Sequence, residues 1–294
     1  MAGPGVAPAG ADAERGASYD DRGPGDDQRL PREARGPLSA ARRSGARPAG
    51  AACRRAHDGP AGHADVTFIA DELDAKAATH SGLAPIVVVA DQIADLTHDT
   101  LCMDTAKYGK AETYINTDVV AWIKANLRVS SRRADWSVAG YSNGGLCAGR
   151  FLALHGDVWG NALDIAGEEF PGSDHPERTQ AEFFGGDKAR YDALRLPRLF
   201  AGRPLPDTWG VVTVSGDDPA HIPGARRVAS AMRAAGARAV YLEFPTGGHG
   251  KDTLIQGLDK SLEVLYPRLG LDATLSPQAA AALPPPPIPP PPAS

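Results

Sequence analysis

Ile86-Val87-Val88-Val89-Ala90 is an unbroken aliphatic run, so any strand it forms carries apolar side chains on both faces. Such a strand is stable where both sheet faces are covered, the habit of parallel sheets flanked by helices. The following chain keeps the same alternation. Residues 118–127 put Val119, Trp122, Ile123 and Leu127 on one helical face. Residues 136–139 read as a short strand, and the helix after them carries Leu146, Phe151 and Leu152. Residues 162–166, 210–214 and 239–244 read as further strands, with helices over 226–235 and 253–265. Strands separated by helical stretches of this length make βαβ units. The expected fold class is α/β, with a mostly parallel, doubly wound sheet.

The two ends have a different character. Within residues 1–63, Val6, Leu30 and Leu38 are the aliphatics larger than alanine beyond Met1, and arginines recur without a lysine. Such a stretch cannot bury enough apolar area to offset roughly 1–2 kcal/mol of backbone entropy per residue. It is expected to be disordered. Residues 273–294 form a proline-rich tail, expected as an extended, solvated spacer. The folded domain is therefore placed at residues 64–272. A net charge of −5 over 294 residues argues against a nucleic-acid or anionic-membrane partner. No apolar run approaches the ~18–20 residues that span a bilayer. The N-terminus as written lacks the apolar core of an export signal, which implies the cytoplasm; a misread N-terminus leaves the extracellular space open. The three cysteines, Cys53, Cys102 and Cys147, are too few for a disulfide scaffold or a zinc site. No metal and no cofactor are expected.

Gly140-Tyr141-Ser142-Asn143-Gly144-Gly145 matches G-x-S-x-G, directly after one predicted strand and running into an apolar-periodic helix. That context is the strand–turn–helix a nucleophile elbow requires, with small residues where a Cβ clashes with its neighbours. The turn brings the Ser142 hydroxyl near a helix N-terminus, where partial positive charge favours an oxyanion. An ordinary glycine-rich loop with an N-cap serine is the alternative.

A serine hydroxyl needs an adjacent base, and in a sheet of this kind the chain order is serine, acid, histidine. His249 lies in Pro245-Thr246-Gly247-Gly248-His249-Gly250, after the last predicted strand and before the final helix. His175 follows the wrong strand, His221 is close behind the acid strand, and His155 reads as a helix-end residue. Strand 210–214 runs into Ser215-Gly216-Asp217-Asp218-Pro219, where a carboxylate can fix the imidazole tautomer. Asp218, before proline, is chosen over Asp217, and Asp164 is the third candidate. The glycines of 246–251 do not make a phosphate loop, since Asp252 stands where a magnesium-binding hydroxyl is needed.

The chain resembles the esterase D-like family of α/β-hydrolases, related to mycolyltransferase-type acyltransferases. The resemblance spans residues 82–271. It is carried by the strand at 84–90, Ala111-Glu112-Thr113-Tyr114 leading into Asp118-Val119-Val120-Ala121-Trp122-Ile123, residues 140–145, and Gly247-Gly248-His249. It implies an α/β-hydrolase without cofactor, acting on a small-molecule ester or acyl substrate. By position it makes Ser142 nucleophile, His249 base, Asp218 acid, and the Asn143 N–H an oxyanion donor. Upstream the pattern departs. Ala46-Arg47-Pro48-Ala49-Gly50-Ala51-Ala52-Cys53-Arg54-Arg55 reads as no strand, so the sheet is expected to lack or disorder its first strands and the second oxyanion donor. A serine ester hydrolase is the expected function. An acyltransferase, or a defective hydrolase-like chain with a truncated or misread N-terminus, stands as the alternative.

Two expectations concern packing. Residues 164–203 should form a mostly helical insertion whose Phe170, Phe183, Phe184 and Tyr191 either line an acyl pocket or pack the insertion on the sheet. Cys102 and Cys147 should meet over the carboxyl ends of the strands, as a disulfide or as two buried thiols.

Overall fold

The computed structural model describes residues 49–54 (as backbone), 66–92 and 99–272, with 274, 277–282, 284–285 and 287–289 of the tail. In chain order the strands are β1 (Ala49–Arg54), β2 (Ile86–Ala90), a hairpin of β3 (Asp104–Thr105) and β4 (Gly109–Lys110), then β5 (Trp136–Tyr141), β6 (Asn161–Ile165), β7 (Trp209–Ser215) and β8 (Arg238–Phe244). Six of them form one sheet in the order β2-β1-β5-β6-β7-β8, and every pairing in it is parallel. The helices are α1 (Thr67–Thr79), α2 (Ala111–Thr113), α3 (Val120–Asn126), α4 (Asn143–Leu154), α5 (Pro176–Phe184), α6 (Lys188–Asp192), α7 (Leu196–Phe200), α8 (Ile222–Ala234), α9 (Lys251–Arg268) and α10 (Pro277–Ala282). Between α2 and α3 the chain winds as a π-helix over Tyr114–Val119, continuing the predicted helix backwards.

Alternation along the strands divides the core in two. Val138, Ala162, Val212 and Val214 join Leu146, Phe151, Leu152, Val228 and Met232 on the face covered by α4 and α8. Leu163, Trp209 and Val211 point the other way, against Leu262, Leu265 and Tyr266 of α9. Strands β6 and β7 are buried at every position, as expected of strands covered on both faces. Lys76 of α1 pairs with Asp259 and Glu263 of α9, tying the outer helix to the layer beneath it.

The largest correction is β1. The segment read as no strand lies between β2 and β5, with Ala51 opposite both Val88 and Val138. Its composition lacks the side chains that mark a strand, but pairing uses backbone groups. Without it, the facing edges of β2 and β5 would leave buried N–H and C=O groups unpaired. The loop after Arg54, from which a second oxyanion donor would come, lies outside the described residues, as do residues 1–48, expected to be disordered. The tail is corrected too: α10 lies against α9, and Ile288 packs on the core beside α4 and α8. The expected helical insertion is present as α5, α6 and α7.

Candidate active site

β5 ends at Tyr141, and the chain turns into α4 through Ser142 at φ 56°, ψ −118°. Ser142 N–H donates to Ile165 O on β6 (2.9 Å), and Ser142 O accepts from Gly145 N–H (2.9 Å). The turn is possible because Gly145 has no side chain: a Cβ there would lie 2.5 Å from Asp164 Oδ1 and 2.7 Å from Gly167 Cα. Asn143 is the first residue of α4, and its N–H, like others of a first turn, has no acceptor within the helix.

The loop after β8 brings His249 over this turn, with Nε2 2.8 Å from Ser142 Oγ. Its Nδ1 lies 3.0 Å from Asp218 Oδ2, just past the end of β7. Burial raises the Asp218 carboxyl, but hydrogen bonds and charge from His221, and then His249, outweigh it and hold the group below its ordinary 3.8. An ionised Asp218 accepts, so His249 Nδ1–H donates and the Nε2 lone pair faces the serine hydroxyl.

Of the candidate residues, Ser142, His249 and Asp218 meet, and the remainder fall elsewhere. Asp217 takes the Ser215 hydroxyl (2.5 Å) and the N–H groups of Gly248 (2.7 Å) and Gly247 (3.3 Å), clamping the histidine loop to β7. Asp164 is buried behind the elbow against Gly145 and Gly167, and burial pushes its carboxyl up to about 7. His155 bonds Glu112 (2.9 Å), and exposed His175 precedes α5.

The parts played by four neighbours were not read from the sequence. His221 Nδ1 reaches the Asp218 carboxylate at 2.9 Å, and its ring stacks on His249 with centroids 4.0 Å apart at 11°. The Tyr141 ring also stacks on His249, at 5.1 Å and 27°. The Asn143 side chain donates to Asp99 Oδ1 (3.0 Å) and accepts from Gln92 (3.5 Å). The Asp-Pro-x-His spacing of 218–221, which turns the histidine back over the carboxylate, was the available signal for the first.

Cys102 and Cys147 are joined as a disulfide with Cα atoms 5.1 Å apart, which decides between the two readings of that pair. The bond ties α4 to the loop carrying Asp99, where Leu101 and Cys102 hold φ of 57° and 56°. Arg150 donates to Cys102 O (3.2 Å) and to Glu112 (2.9 Å), bracing the same loop.

Asp218, His221 and His249 are also the described group whose ligating atoms lie close enough for an ion, all within 4.8 Å. The rings, however, are stacked nearly parallel. An ion in the plane of one lies well out of the plane of the other, against the in-plane bonds of ~2.0–2.1 Å that imidazole makes to zinc. Two imidazoles sharing one carboxylate fit this geometry better. Among the described residues no helix is long and apolar enough to cross a membrane.

No protein-family model matches the chain. An uncharacterized protein of Corynebacterium glutamicum is 31% identical over 140 residues, 46% of this chain and 33% of that protein. The chain thus spans about a third of the length of this curated relative. Among solved structures, a ferulic acid esterase aligns with a TM-score of 0.59 and 17% identity over 77% of this chain and 86% of its own. An S-formylglutathione hydrolase from Agrobacterium tumefaciens gives 0.59 and 17% over 76% and 85%. Fluorophosphonate-binding serine hydrolase F of Staphylococcus aureus gives 0.53 and 11% over 77% and 86%. At these identities the likeness is one of architecture, and it shows that this chain has the α/β-hydrolase fold.

Proposed function

We propose that the chain is a serine-dependent carboxylic ester hydrolase that works through an acyl-enzyme. The observation that carries this reading is the relay at the end of the sheet: Ser142 Oγ 2.8 Å from His249 Nε2, and His249 Nδ1 3.0 Å from Asp218. In the proposed reaction Ser142 Oγ attacks the ester carbonyl while its proton passes to His249 Nε2. Asp218 stabilises the imidazolium, and the Asn143 N–H meets the oxyanion at the start of α4. His249 then returns the proton to the departing alcohol. Water, deprotonated by the same nitrogen, releases the acid and restores Ser142. The names of the fold neighbours, ferulic acid esterase and S-formylglutathione hydrolase, agree with acyl transfer to water on a small-molecule substrate.

The test is covalent labelling by a fluorophosphonate probe, together with turnover of a short p-nitrophenyl ester. Wild-type protein should take one equivalent of probe at Ser142, and Ser142→Ala none. A folded wild type that takes no probe and turns over no ester would leave the hydrolase-like but inactive chain as the better reading.

A further inference from the structure

The hydrolase relay uses one imidazole, yet Asp218 binds two. His221 sits at the N-terminal end of α8, where the turn from Asp218 is closed by His221 N–H to Asp218 O at 3.2 Å. That turn sends the ring back over the carboxylate of the same segment, with Nδ1 at 2.9 Å. The Asp218 side chain is 5% exposed, those of His221 and His249 20% and 27%. A carboxylate this enclosed has two oxygens to satisfy, and a single imidazole leaves it free to rotate about its terminal torsion. The second Nδ1–H removes that freedom. Parallel stacking at 4.0 Å then ties the plane of His249 to that of His221.

We propose that His221 is a positioning residue for the Ser142–His249–Asp218 relay, holding Asp218 by a second imidazole hydrogen bond and seating the His249 ring by stacking. The inference rests on the hydrolase reading for its kinetic consequence, but the arrangement of the two rings is independent of it. Among the described residues His221 bonds Asp218 and stacks on His249 and makes no hydrogen bond to Ser142, so it acts through its neighbours. The bond to Asp218 is the larger part of its effect, since it orients the group that fixes the His249 tautomer.

Three variants separate the parts. His221→Asn keeps a donor near the Nδ1 position and loses the ring. His221→Phe keeps a flat ring and loses the donor, and His221→Ala loses both. The alanine variant should lower kcat and the probe-labelling rate about tenfold, with KM within about twofold, as expected when a geometry-fixing hydrogen bond is lost. His221→Asn should recover most of that loss, and His221→Phe little of it. A kcat unchanged in His221→Ala overturns the proposal. So does a loss shared with KM and with thermal stability that the asparagine does not rescue. A second measurement needs no turnover: nitrogen-labelled histidine spectra of the full chain carrying Ser142→Ala, with and without His221→Ala. The downfield Nδ1–H signal of His249 should shift and exchange faster with solvent when His221 is removed, and an unmoved signal overturns the proposal. Wild type that takes no probe overturns the hydrolase reading instead, and the Ser142→Ala spectra still decide the role of His221.

Discussion

Ser142 holds a backbone conformation that costs a residue other than glycine about 1–3 kcal/mol. It persists because its N–H is tied to β6, and because Gly145 and Gly167 let α4 approach that strand closely. Two adjacent aspartates divide in a similar way between the proposed relay and its support. Asp218 faces His249, whereas Asp217 accepts from Ser215 and from the Gly247 and Gly248 N–H groups of the histidine loop. Replacement of Asp218 by Asn should therefore cost about 10⁴-fold in kcat, by stabilising the wrong imidazole tautomer. Asp217→Asn should cost roughly tenfold, since it weakens a clamp and leaves the tautomer alone. Parallel kcat measurements check this, and equal losses would mean that the two share the acid role. Sequence order made Ser142, His249 and Asp218 legible. Order alone left Asp217 and Asp218 as rivals, because one residue of shift at a strand end turns a side chain to the opposite side. The choice of Asp218 came from its place before proline in the turn, and the work of Asp217 as a clamp was not read. His221 was discounted for lying close behind the acid, which is the very place that lets it reach Asp218.

At the scale of elements, strand β6 carries a buried liability. Asp164 Oδ1 has no hydrogen-bond partner among the described residues, and burial raises the carboxyl to about 7, with the Gly167 N–H pulling weakly the other way. In the unfolded chain this group titrates near 3.8. Between those values the folded form keeps the proton that the unfolded form has lost, so stability falls as pH rises from about 4 to 7. The loss is at most roughly 4 kcal/mol, from about 1.4 kcal/mol per pH unit. Asp164→Asn should flatten this slope, which urea unfolding of both proteins at pH 5 and pH 8 will measure. Equal slopes would place the proton elsewhere. The Cys102–Cys147 bond closes 45 residues around β5 and the first turns of α4, worth about 4 kcal/mol in the chain-entropy model. Denatured, unreduced chain should accordingly show one reactive thiol, Cys53, and three after reduction; three without reductant would contradict the bond. These features were unequally legible. The pair of cysteines followed from the parallel sheet, whose loops converge at the carboxyl ends. Strand β1 did not, because Ala, Gly and Ala carry no strand signal and its placement comes from the ladders on either side.

For the molecule as a whole, the sheet sets where the relay lies, and the segment between β6 and β7 carries the insertion expected to shape the entrance. Helices α5, α6 and α7 fill that segment, and their aromatic side chains divide into two kinds. Phe184 is buried and packs on Tyr191 at 5.5 Å, while Tyr191 packs edge-on to Phe170 and donates to Pro171 O. Phe183 is partly exposed and meets Tyr108, beside the β3–β4 hairpin, at 5.7 Å. An ion pair between Lys107 and Glu182 runs alongside that contact. The sequence supplied the aromatics but not this partition, since adjacent positions on α5 differ by about 100° of helical rotation and only the packing fixes which face turns inward. One expectation therefore becomes two. Phe184→Ala removes a core side chain and should cost about 3–5 kcal/mol of stability, with substrate preference little changed. Phe183→Ala opens the contact between α5 and the hairpin at small cost in stability. It is expected to change the ratio of kcat/KM for long and short acyl esters, since Phe183 is the aromatic of α5 that stays partly exposed and so is the one free to line an acyl pocket. Thermal unfolding paired with a p-nitrophenyl ester series from acetate to decanoate tests both. If Phe183→Ala leaves the chain-length ratio unchanged, the α5–hairpin contact is a structural buttress, and the acyl group runs along some other wall.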